Sequence, residues 1–116
     1  MKHSSQDRVS FEIARLVAAG LSDHPEWIET ARENLRRWKS LNRDAPGLLR
    51  CYDEWEAMLD LPPSEIASRV TEATDEGQRL RQNSPFAGVL PASAVWDIKR
   101  RNRSDPRQDH VNPLPR

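Results

Sequence analysis

The stretch SDHPEWIETARENLRRWKSL, residues 22–41, decides the fold. Trp27, Ile28, Ala31, Leu35, Trp38 and Leu41 recur there at steps of three and four. That spacing lays one apolar stripe along an α-helix, and no strand-like alternation competes with it. Ser22, Asp23 and Pro25 signal the helix start, because proline tolerates the first turn and a Ser or Asp oxygen accepts bonds from orphan amides. The other face carries Glu29, Arg32, Glu33, Arg36 and Arg37. Glu33 and Arg37 attract at a spacing of four and Glu29 and Glu33 repel, as on a solvated helix face.

Toward the N-terminus, Val9, Ile13, Leu16 and Val17 predict a helix over about Gln6 to Ala19, with Ser4 or Ser5 at its start and Gly20 at its end. Toward the C-terminus, residues 43–47 (RDAPG) break the pattern. A third helix follows to about Leu61 on Leu48, Tyr52, Trp55 and Met58 or Leu59, and Pro62-Pro63 closes it. Pro63 opens a fourth, with Ile66, Ala67 and Val70 as its stripe. Thr74-Asp75-Glu76 offers another cap, but Asp75 to Gln82 has Leu80 as its one large apolar residue and needs tertiary contacts to stay helical. The proline-bracketed connector of residues 83–91 (NSPFAGVLP) is expected to plug the core. A last helix over about Ala92 to Arg101 carries Val95, Trp96 and Ile98, with Lys99 to Arg101 at its negative dipole end.

These readings predict an all-α protein, a small bundle of four to six short helices over residues 1–101. Its core would be Trp27, Leu35, Trp38, Tyr52, Trp55, Ile66, Val70 and Phe86. Residues 102–116 hold three prolines and only Val111 and Leu114 as aliphatics. Such a segment gains too little from burial to offset its ordering entropy, so a disordered basic tail is expected.

The length of 116 residues suits one domain. No run approaches the roughly 18 apolar residues of a membrane span, and Met1 to Asp7 lacks the apolar centre of a signal peptide, which predicts a cytoplasmic protein without membrane contact. Cys51 is the single cysteine, too few for an intrachain disulfide or a thiolate zinc site. The formal charge is zero but unevenly spread: 12 basic against 16 acidic residues through Ile98, and six against two from Lys99 onward. An acidic body with a basic tail can dock on an acidic partner or on nucleic acid.

Catalytic chemistry finds little support. His3 and His110 lie near the termini and His24 at a helix start, so local structure poises none of them for proton transfer. Arg103 and His110 have the Arg-x6-His spacing of HEPN-type nucleases, but Pro106 interrupts the helix that motif requires. Asp53, Glu54, Glu56 and Asp60 lack the glycine turn of a calcium loop and read as a solvated face. No cofactor and no metal are expected. Residues 64–70 resemble the first helix of a helix-turn-helix within residues 64–82, yet Thr71, Glu72 and Gly77 stand where that motif wants a glycine and aliphatics. A DNA-binding regulator is therefore the alternative reading. Nonspecific phosphate contacts are the most that Lys99, Arg100, Arg101, Arg103 and Arg107 imply.

The connector RLRQNSPFAGVL, residues 79–90, lies between a tryptophan-containing helix and Trp96. In this it resembles a group of small uncharacterised bacterial helical proteins, over roughly residues 31–99. The resemblance implies an association with two-gene operons of the toxin–antitoxin type and added weight for Arg79, Arg81, Gln82 and Phe86. For Arg79 and Arg81 the equal alternative is a structural one, anchoring the connector through backbone carbonyls. The leading expectation is a non-enzymatic, antitoxin-like interaction protein. It would neutralise a neighbouring gene's product through Arg79, Arg81, Gln82, Phe86, Trp96, Lys99, Arg100, Arg101 and Arg103, with nucleic acid as a second partner for the tail and the oligomeric state left open.

Overall fold

Six helices follow one another in the computed structural model, which describes residues 5–103. They are α1 (Ser5–Gly20), α2 (Glu26–Leu41), α3 (Pro46–Met58), α4 (Pro63–Val70), α5 (Asp75–Arg81) and α6 (Ala92–Arg103). No strand occurs among the described residues. The chain is thus all-α, and none of these helices is long and apolar enough to cross a membrane. α1 packs against α4, α5 and α6, α2 pairs with α3, and α4 with α5.

Leu35, Tyr52, Trp55, Ile66, Val70 and Phe86 are buried, as their spacing predicts. Trp27 and Trp38 are only partly buried and lie against the edge of the core. Trp27 covers the end of α1, where a Cβ on Gly20 would come within 2.7 Å of its ring, so the glycine here makes room for an indole. Leu41, the last residue of the predicted stripe, is exposed. It is the last residue of α2.

Trp55 organises the centre. Its ring is 1% exposed, its Nε1 donates to the Leu80 carbonyl at 3.1 Å, and Phe86 meets it edge-on with ring centroids 6.0 Å apart. One indole thereby links α3, α5 and the connector. The connector does plug the core, with Pro85 and Phe86 buried. Its grip comes from α2: Asn34 Nδ2 donates to the carbonyls of Pro85 (2.8 Å) and Ala87 (3.2 Å), while Asn34 Oδ1 accepts from Arg37.

Two local expectations change. α2 has no side-chain cap; Trp27 and Ile28 instead donate to the backbone carbonyls of His24 and Pro25. α6 runs to Arg103, and Asn102, expected to begin the tail, is buried. Asn102 Nδ2 donates to the Ile98 carbonyl and to Glu12, and its Oδ1 accepts from Arg8 Nε. These partners hold the last turn. The rest of the predicted tail, 104–116, lies outside the described residues.

Replacing Asn34 with Ala would leave the Pro85 and Ala87 carbonyls without their donor. Losing bonds to buried groups costs about 2 kcal/mol. The urea midpoint should fall by a corresponding amount with an unchanged slope, since the surface exposed on unfolding stays the same.

Candidate functional site

α6 presents two faces because successive side chains turn by about 100°. Ile98 and Asn102 point into the molecule and are buried. Trp96, Lys99, Arg100 and Arg103 fall on the opposite side and are all exposed. Trp96 is 54% exposed, and the Arg103 guanidinium lies 5.6 Å from its ring centroid. Arg100 is bonded to Asp97 on its own helix. Arg101 turns aside to pair with Glu12 of α1.

The other predicted contact residues are not brought to this face. Arg79 lies on α5, bonded to both Glu54 oxygens (3.0 and 3.2 Å) and to Glu76, with Cys51 Sγ 3.7 Å away. Its guanidinium is held well above its ordinary pKa by these carboxylates, first Glu76 and then Glu54. Arg81 is 8% exposed, and its Nη1 donates to the carbonyls of Val70 (3.2 Å) and Glu72 (2.7 Å). Backbone anchoring is therefore its role, although what it anchors is the turn between α4 and α5 rather than the connector. Burial lowers its pKa, partly opposed by Asp7. Phe86 is core, which removes it as a contact residue. Gln82 is exposed at the end of α5, at the rim of a cavity of about 170 Å³.

The helix-turn-helix reading loses its reading helix. α5 has only seven residues, its first turn bears Asp75 and Glu76, Arg79 is tied to carboxylates, and Arg81 is buried. Gly77 is buried where a Cβ would overlap the Glu72 carbonyl oxygen, so an aliphatic anchor has no room there. Two side-chain bonds hold the helix, with the Thr74 hydroxyl accepting from Gly77 N at its start and Gln78 donating to Asp7 from its middle.

The acidic run of α3 is more than a solvated face. Lys39 bridges Asp53 (2.7 Å) and Glu56 (2.8 Å), Arg32 reaches Asp60 at 2.7 Å, and Arg79 holds Glu54. Asp53, first, and Glu56 raise the Lys39 pKa. Such exposed pairs carry little energy each, but they register α3 against α2 and α5. Among the described residues, no group of three or more His, Cys, Asp or Glu is placed to hold a metal. His24, their one histidine, stacks on Trp27 with 4.5 Å between centroids and bonds to Glu26.

A groove of about 780 Å³ runs between α1, α6 and the α4–α5 turn. Phe11, Leu16, Ala19, Ala73, Ala94 and Ile98 provide its apolar lining, and Arg8, Arg15, Arg81 and Arg101 stand around it with Asp7, Glu12 and Asp97. The sequence points to none of this, because the lining residues come from segments up to about 90 positions apart. Comparison with known proteins adds no relative: no family model, no curated protein and no solved structure matches the chain.

Two measurements check this electrostatic picture. Iodide should quench Trp96 more strongly than caesium does, because Lys99, Arg100 and Arg103 concentrate anions beside it, and Trp96→Phe should remove that difference. Hydrogen bonding to Arg79 lowers the Glu76 pKa from 4.5. Its carboxyl resonance should therefore titrate below pH 4.5 and move back toward it in Arg79→Ala. The sign for stability follows: this contribution is complete above pH 4.5 and is lost as the pH falls through the lowered pKa.

Proposed function

We propose that this chain is a non-enzymatic protein-interaction module that docks an acidic partner protein through the outer face of α6. Trp96 carries the reading. Of the four tryptophans, Trp55 is buried and Trp27 and Trp38 lie against the core, whereas Trp96 is left largely in water among three cations. An indole ringed by Lys and Arg suits the centre of an interface, since Trp and Arg are the residues that most often dominate binding energy. The cations add attraction and orientation toward a surface of opposite sign.

In its antitoxin-like form, the proposal makes the partner a toxic product of a neighbouring gene, whose working site this face occludes. The support is the surface chemistry of α6 together with the likeness of residues 79–90 to proteins of such operons. Co-expression tests it. The neighbouring product should co-purify with the chain and lose its toxicity, and Trp96→Ala or the pair Lys99→Glu and Arg103→Glu should weaken binding by about tenfold or more. Binding should also weaken as salt rises. Capture that both variants leave unchanged would remove α6 as the contact face, and a neighbour that neither binds nor is detoxified would reject the antitoxin-like form.

A further inference from the structure

The groove between α1 and α6 lies on another side of α6 from Trp96, and four arginines stand around it against three carboxylates. Glu12 is taken up by Arg101 and Asn102, Asp97 by Arg100, and Asp7 accepts from Gln78. Arg15 is exposed and has no carboxylate partner among the described residues; its guanidinium lies 5.9 Å from the Phe11 ring centroid. The Arg81 guanidinium approaches the same ring to 4.8 Å. Two cations thus converge on one aromatic ring at the edge of an apolar groove.

Arg81 is the more buried of the two. Its Nη1 serves the Val70 and Glu72 carbonyls, its Nε is closed off from solvent without any acceptor, and no carboxylate forms an ion pair with it among the described residues. Its Nη2 makes no hydrogen bond among the described residues and, unlike Nε, is not shut off from water. A largely buried guanidinium whose charge Asp7 offsets only in part is costly to hold, and an arriving anion relieves that cost. The groove volume of about 780 Å³ lies in the range of small-molecule sites.

We propose that this groove binds an amphipathic organic carboxylate, its apolar chain lying along Leu16, Ala19 and Ala94 and its carboxylate held by Arg15 and Arg81 beside Phe11. A guanidinium presents paired N–H donors that match the two oxygens of a carboxylate. The apolar lining favours an occupant with an aliphatic chain over a bare inorganic anion, which would leave Leu16 (44% exposed) and its neighbours uncovered.

Calorimetric titration of the full chain with sodium octanoate, run beside 1-octanol, tests the assignment. Octanoate should bind saturably at one site, and octanol at least about tenfold more weakly. Because Arg81 also secures the α4–α5 turn, the deciding variant is Arg15→Gln: it should weaken octanoate by about tenfold and leave octanol unchanged. Leu16→Asp should abolish both. The proposal is overturned by octanoate that never saturates into the millimolar range, by equal affinity for octanol, or by binding indifferent to Arg15→Gln. It is also overturned by self-association that Leu16→Asp abolishes and octanoate does not disturb, which would assign the groove to a second copy. Trp96 takes no part in the groove, so Trp96→Ala should leave octanoate binding intact whether or not the α6 outer face docks a protein.

Discussion

The buried indole of Trp55 is the constraint on which the other parts depend. A tryptophan can be buried without loss only if its N–H finds an acceptor, and here that acceptor is the last turn of α5. α5 is polar and short, and its own propensity would not keep it folded. By accepting this bond at Leu80, α5 is pinned to α3, and Phe86, six residues on, then lies edge-on to the same ring. The connector follows from that placement, and so does the entry of α6.

A second layer of control is polar. Asn34 is buried on α2 and serves two carbonyls of a segment that has no regular structure of its own. A loop crossing a core would otherwise carry unsatisfied backbone groups, and one amide side chain solves this at two points. Arg81 acts similarly for the turn between α4 and α5, at the cost of burying a charge. The exposed ion pairs around α3 differ in kind: they add little energy and mainly set how neighbouring helices align.

Helical periodicity made most of the fold legible. The stripes on α2, α3 and α4 identify the core, and the Pro62-Pro63 break and the Thr74 cap locate the ends of α3 to α5. The burial of Asn34 had a signal too, since it stands three residues after Ala31 and four before Trp38, on the apolar stripe itself. Asn102 stands four after Ile98 in the same way, which is why α6 outlasts its predicted end. The candidate surfaces were less legible. That Trp96 faces out while Trp55 faces in depends on which side of each helix its neighbours cover, and the groove joins side chains from both ends of the described chain. Arg79 and Arg81 are two residues apart and have opposite fates, one on the surface with carboxylates and one inside with carbonyls.

The seat of α6 on α1 depends on one buried aliphatic, Ile98, and on a mesh of directional bonds among Asn102, Glu12, Arg8 and Arg101. Apolar contact alone tolerates sliding, because a helix shifted by one turn, about 5.4 Å, presents a similar ridge to its neighbour. Hydrogen bonds do not tolerate it: the Asn102 amide meets Glu12 and Arg8 in one axial position only. An aliphatic residue in place of Asn102 could grip α1 as firmly and still leave α6 free to choose between registers, so this asparagine supplies uniqueness of placement rather than strength.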